Sequence, residues 1–198
     1  MNRKIIESCI SALIKDFRHN TLNFIKEEDL RSKLYSIMDV KGAFKKGVDI
    51  SEGMVDTFLV HVNWFGLKSA KENVTKGYCD LVVLKEESAE ELHNLAGRST
   101  SIFAKQLPCY AGIEIKRWPG ELHNPPNKRD KSDVIDLKSM LESGKVMHGY
   151  SLVFIDHDID ERNESKYTKI IEWYRKQTQN TENLHVWLIP RTGKICRL

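Results

Sequence analysis

The chain has 198 residues, 40% of them apolar and 30% charged, and a formal net charge of +3. Such a composition buries one core, excludes an intrinsically disordered chain, and is too weakly basic for charge alone to mark a nucleic-acid binder. No run approaches the roughly 18 apolar residues of a membrane span, so no membrane partner is expected. The four cysteines, Cys9, Cys79, Cys109 and Cys196, lie far apart with no C-x-x-C pair, which argues against a cysteine-built zinc site. Glu7, Lys15 and Asp16 interrupt the apolar pattern of the N-terminus, so no secretory leader is read there. The expectation is a soluble, cytoplasmic protein with a single domain over 1–198.

Ile5, Ile6, Cys9, Ile10, Leu13, Ile14 and Phe17 recur at helical spacing and predict an amphipathic helix over about 3–18, an addition to the core within residues 1–20. After the polar break His19-Asn20-Thr21, a second helix is predicted over 27–38, with Leu30, Leu34, Ile37 and Met38 as its stripe. Glu27, Glu28 and Asp29 open it, where the helix dipole favours negative charge. Glu27 lies three residues before Leu30 and seven before Leu34, so it points with the buried stripe; Glu28 and Asp29 turn toward solvent. Residues 39–53, rich in Gly, Lys and Asp, read as a loop.

A first strand is predicted over 55–65 and a second over 78–84, the latter almost wholly apolar except for Asp80. Residues 86–108 start with a helical stretch around 89–95 and read as an insertion between the second and third strands. The third strand is Gly112–Trp118, with Ile113 and Ile115 on one face and Glu114 and Lys116 on the other. Pro119, Pro125 and Pro126 mark a loop after it, and Lys128, Arg129 and Lys131 join Lys116 and Arg117 in a basic cluster. A helix over 132–142, closed by Gly144, a strand over 150–155, a helix over 163–177 and a strand over 184–189 complete the order.

Three charges stand inside apolar elements: Asp80, Glu114 and Lys116, with Glu27 as a fourth. Glu114 and Lys116 lie two residues apart on a strand, roughly 7 Å side by side. Burying both is expensive unless the charges pair or serve a metal or substrate. If the second and third strands are neighbours, Asp80 and Glu114 share an edge, and two carboxylates brought together call for a cation between them. Hard oxygen ligands select Mg²⁺ or Mn²⁺, and a neighbouring ammonium can orient a water and stabilise charge developing at phosphorus. The plainer reading of the pair is a solvated edge strand, and Glu164-Ser165-Lys166 repeats the Glu-x-Lys pattern.

Here the sequence resembles the PD-(D/E)xK nuclease superfamily, on Cys79-Asp80, on Glu114-Ile115-Lys116 and on the Glu27 of Phe24-x-x-Glu27-x-Asp29-Leu30. Cys79 stands where the superfamily's name has proline. The resemblance implies an α/β (α+β) fold with a restriction-endonuclease-like α-β-β-β-α-β core, a mixed central sheet of about five strands flanked by helices. It implies a Mg²⁺- or Mn²⁺-dependent endonuclease in which Asp80, Glu114 and the Ile115 carbonyl hold the metal, Lys116 positions the attacking water, and Glu27 adds an outer ligand. DNA is the expected substrate ahead of RNA. Arg117, Trp118, Lys128, Arg129 and Lys131 are the candidate nucleic-acid contacts, Trp118 by base stacking. Cutting both strands of a duplex takes two active sites, which leaves room for a homodimer. The alternatives are a catalytically inactive nucleic-acid-binding or assembly module on the same fold, and an interaction domain that docks through the N-terminal helix.

Two other patterns fail. Asp156, Asp158 and Asp160 begin like an EF-hand loop, but Glu161 stands at the required glycine and Tyr167 at the closing glutamate. Gly42 to Gly47 has P-loop spacing but continues Val48-Asp49 in place of Lys-Ser/Thr.

Overall fold

The computed structural model describes residues 2–50, 53–65, 78–95, 107–118 and 128–198. The chain opens with two helices, α1 (Arg3–His19) and α2 (Glu27–Asp39), within a residue of the bounds their apolar spacing sets. Asn2 caps α1 by accepting the Lys4 N–H. Asp29, in the first turn of α2, accepts the N–H groups of Ile25 and Lys26 at 2.8 Å each. At its other end α1 is fixed by Arg18, which donates to the carbonyls of Pro190 and Gly193.

Within the segment read as a loop, β1 (Lys45–Ile50) forms an antiparallel ribbon with β2 (Gly53–Phe58), which is mostly the first part of the strand expected over 55–65; Val48 stands opposite Val55. Composition hid β1 because its Lys45, Lys46 and Asp49 are exposed, and an exposed ribbon has no need of an apolar face. Gly53, at a φ of 122°, takes a backbone conformation that side-chain-bearing residues avoid. The strand predicted over 55–65 is divided at the buried Leu59, after which β3 (Val60–Phe65) begins. Leu59 donates to the Phe44 carbonyl at 2.9 Å and accepts the Leu84 N–H at 2.8 Å, so the chain passes there from ribbon to main sheet.

That sheet has six strands in chain order: β3, β4 (Tyr78–Leu84), β5 (Cys109–Trp118), β6 (Val146–Asp158), β7 (Leu184–Thr192) and the short β8 (Cys196–Arg197). The strands β3, β4 and β5 are antiparallel neighbours; β6 and β7 run parallel to β5, and β8 returns antiparallel to β7. Parallel neighbours need crossovers, supplied by α4 (Lys128–Glu142) and α5 (Glu164–Thr178). The architecture is mixed α+β, as expected, with a sixth strand whose two residues are too few to leave a pattern. Of the expected insertion, a 3-10 turn (Glu86–Ser88) and α3 (Ala89–Leu95) are described, and residues 96–106 lie outside the described residues. The helix α4 starts at Lys128, four residues before the predicted 132, so Lys128, Arg129 and Lys131 belong to its first turns and not to a loop.

Each face of the sheet carries a core. Helices α1 and α2 cover Leu81, Ile113, Ile115, Leu152 and Phe154; α4 and α5 cover Val82, Val153, Ile155, Val186 and Leu188. The alternation along β6, with Leu152 and Phe154 facing one way and Val153 and Ile155 the other, is why that strand reads as a continuous apolar run. Among the described residues, no helix is long and apolar enough to cross a membrane.

Candidate functional site

The site forms where two strands part. The antiparallel register of β4 and β5 runs to Leu81 opposite Ile113 and stops there. Asp80 and Glu114 each lie one residue beyond that last pair. Further along β5, Ile115 and Arg117 present their N–H groups to the edge that β4 has left, since every second residue of a strand faces the same side. Buried N–H groups need acceptors. The Ile115 N–H donates to Asp80 Oδ2 at 2.8 Å, and the Arg117 N–H donates to Glu27 Oε1 at 3.3 Å. Two carboxylates, one from β4 and one from α2, thus stand where a ladder strand would continue.

Helix α2 brings a second group. Arg31, one turn after Glu27, places Nη1 3.3 Å from Asp80 Oδ1, with both side chains about a quarter exposed or less (20% and 25%). On β5, Glu114 is only 4% exposed and lies in register with Ser151 of β6, itself buried. Lys116 shares the Glu114 face by strand alternation. Its Nζ is 3.1 Å from Asp133 Oδ2 on α4 and 3.6 Å from Glu27 Oε1 on α2, with the lysine side chain 11% exposed. An ammonium so enclosed is tolerable only with carboxylates beside it.

Arg117 turns away from that face. It forms a forked ion pair with Asp156, Nε to Oδ1 at 3.2 Å and Nη2 to Oδ2, and its Nη1 donates to the Ile25 carbonyl. Burial pushes the Asp156 carboxyl above the usual carboxylate range, while Arg117 pulls the other way. The guanidinium proposed as a nucleic-acid contact therefore ties β5, β6 and the approach to α2 together. Trp118 is half-buried and packs against the core under α4 and α5. The side chains of Lys128, Arg129 and Lys131 lie outside the described ones.

Of the residues named from sequence, Asp80, Glu114, Ile115, Lys116 and Glu27 are gathered at one strand end. Within a strand the C=O of a residue faces the same edge as its N–H, so the Ile115 carbonyl looks toward the side from which Asp80 approaches. Two carboxylates and a carbonyl are hard oxygen donors. Mg²⁺ takes one or two carboxylates and keeps several waters, so the donor set fits it chemically. Among the described residues no group of three or more His, Cys, Asp or Glu is arranged to hold a metal ion.

Asp133 and Arg31 were not singled out from sequence. Asp133 lies four residues before Leu137 and seven before Met140, both buried, which is the same signal that picks out Glu27. Arg31 follows Glu27 by four on one helix face, a spacing that ordinarily indicates a surface ion pair and so hides the reach to β4. Compared with protein-family models, curated proteins and solved structures, the chain gives no match in any of the three. A functional reading therefore rests on these residues and their placement.

Proposed function

We propose that this protein is a metal-dependent nuclease that hydrolyses phosphodiester bonds, in DNA ahead of RNA, on a core of the restriction-endonuclease type. The observation that carries the reading is the parting of β4 from β5, which sets Asp80, Glu114, the Ile115 carbonyl and Lys116 around one free strand edge. With the ribbon β1–β2 and the helix α3 set aside as additions, the order α2, β3, β4, β5, α4, β6 supports it, since it then follows the α-β-β-β-α-β succession of the PD-(D/E)xK nucleases.

In this reading Asp80, Glu114 and the Ile115 carbonyl hold Mg²⁺ or Mn²⁺, which when bound makes water a better nucleophile and neutralises charge on the phosphate. Lys116 orients the attacking water and meets the negative charge that grows at phosphorus. Glu27 braces the Arg117 N–H and supplies an outer carboxylate at the same edge. The test is cleavage of duplex DNA with Mg²⁺, Mn²⁺, Ca²⁺ or no metal, in the native chain and in Lys116→Ala. Metal-dependent cutting that vanishes in the variant is expected; undiminished cutting in Lys116→Ala sinks the assignment.

One observation favours a second reading. Asp80 is already matched by Arg31 and Lys116 by Asp133, so two of the site's charged groups are paired within the protein itself. A module that binds nucleic acid without cleaving it has that character. Calorimetry with Mn²⁺ separates the two: the nuclease takes up the ion with loss of uptake in Glu114→Gln, and the inactive module retains DNA but takes up none.

A further inference from the structure

Lys116 is gripped by two helices that lie on opposite faces of the sheet. Glu27 reaches it from α2 and Asp133 from α4. The grips are unequal. Asp133 Oδ2 is 3.1 Å from Nζ and Glu27 Oε1 is 3.6 Å away, and the two carboxylate side chains are 16% and 33% exposed. Attraction strengthens as charges approach and as water is excluded, and on both counts Asp133 is the stronger partner. Glu27 also divides its Oε1 with the Arg117 N–H. Asp133 stands on a helix whose Val134, Leu137 and Met140 are buried against the sheet, so core packing fixes the backbone that carries it.

We propose that Asp133 is the positioning residue of this site, holding the Lys116 ammonium on the Glu114 side of the strand edge, with Glu27 as the secondary partner. For its catalytic meaning the proposal rests on the nuclease reading. Its structural content can be tested separately.

The experiment is lysine acetylation of the full chain with acetic anhydride, followed residue by residue by mass spectrometry. Releasing one charge-assisted contact corresponds to roughly tenfold in rate, so Asp133→Asn should raise labelling of Lys116 about tenfold over wild type. Glu27→Gln should raise it less, and Lys138, on the same helix, should label as in wild type in both. Asp133→Glu, which keeps the carboxylate, should return Lys116 toward its wild-type rate; it also carries the comparison if Asp133→Asn does not fold. In DNA cleavage with Mg²⁺, Asp133→Asn should lower kcat by roughly tenfold to a hundredfold with KM unchanged. Wild-type labelling of Lys116 in Asp133→Asn, or a larger rise in Glu27→Gln, overturns the proposal. A wild-type protein that cuts no DNA removes the nuclease reading, while the labelling still decides the role of Asp133.

Discussion

Asp80 accepts the Ile115 N–H at 2.8 Å, one residue past the point where the β4–β5 register ends. A carboxylate there replaces a strand carbonyl as acceptor. The strand edge is satisfied without being covered, and the replacement adds a negative charge beside a second one on Glu114.

Asp80→Ala removes the acceptor of the Ile115 N–H and the counter-ion of Arg31 together. The variant should fold, with a stability loss of about 1–3 kcal/mol read as a lower urea midpoint. Metal-dependent cleavage should be abolished. Asp80→Asn keeps a neutral acceptor, so it should regain part of the stability and none of the cleavage. An active Asn variant would show that the carboxylate charge at this position has no part in the chemistry.

Arg117→Lys tests what the guanidinium is for. Lysine keeps the charge but cannot fork onto both Asp156 oxygens while also meeting the Ile25 carbonyl. If the residue is an anchor, the variant loses about 1–3 kcal/mol of unfolding free energy, visible in urea denaturation. DNA affinity at fixed salt should change little. A stable variant with weakened DNA binding would reverse that account.

Acidification should cost stability in two separate windows. The rings of His148 and His185 stack with centroids 5.9 Å apart, with Tyr110 and Tyr150 beside them and Arg3 and Glu7 facing them from α1. Burial, helped by Arg3 and His148, holds His185 down at about 4, and burial with Arg3 lowers His148. A histidine depressed in the folded state binds more protons when unfolded, so its contribution is full above the ordinary 6.5 and lost as pH falls toward 4. His185→Gln should lessen the fall of the urea midpoint across that window, with His148 keeping its own share. Asp158, held at about 2 by Arg191 and Thr192, titrates below the ordinary 3.8. The loss in that lower window is small, because the Arg191–Asp158 pair is exposed and screened by water, and it should survive the substitution.

Two glycines under α4 should answer differently to alanine. A Cβ at Gly149 would lie 3.2 Å from Leu141 Cδ1 and 3.4 Å from Leu184 Cδ1, a crowded position. At Gly112 the nearest atom is Cys79 Sγ at 3.4 Å, followed by Val146 at 3.5 Å, which is ordinary contact. Gly149→Ala should therefore lose about 1 kcal/mol in thermal unfolding, and Gly112→Ala should be near neutral. A reversed order would mean that α4 shifts more readily than its packing implies.

The elements that bury a stripe were legible. Leu30, Leu34 and Met38 set the period of α2, and that period alone turned Glu27 inward. Asp80 and Glu114 could be placed as neighbours because each is a lone carboxylate in an apolar strand, and β4 does pair with β5. Of the ribbon, β1 was not legible, since its exposed Lys45, Lys46 and Asp49 leave no apolar face to read, and the break at Leu59 that parts β2 from β3 was not legible either. Asp133 carries the same spacing signal as Glu27, but the sequence does not show which strand residue its helix face meets. The ion pair of Arg117 was not legible, because a sequence shows charge and not direction, and its partner Asp156 lies 39 residues away on another strand.

Arg18 reaches carbonyls at Pro190 and Gly193, which lie 172 and 175 residues further along the chain. During translation the helix that carries it exists long before its dock does. At about 5–20 residues per second, the interval is roughly ten to thirty seconds. Throughout it, the core that Ile6, Ile10, Leu13 and Phe17 share lacks Trp187 and Ile189, its β7 members. A deletion that removes β7 would strand the opening helix as well as shorten the sheet.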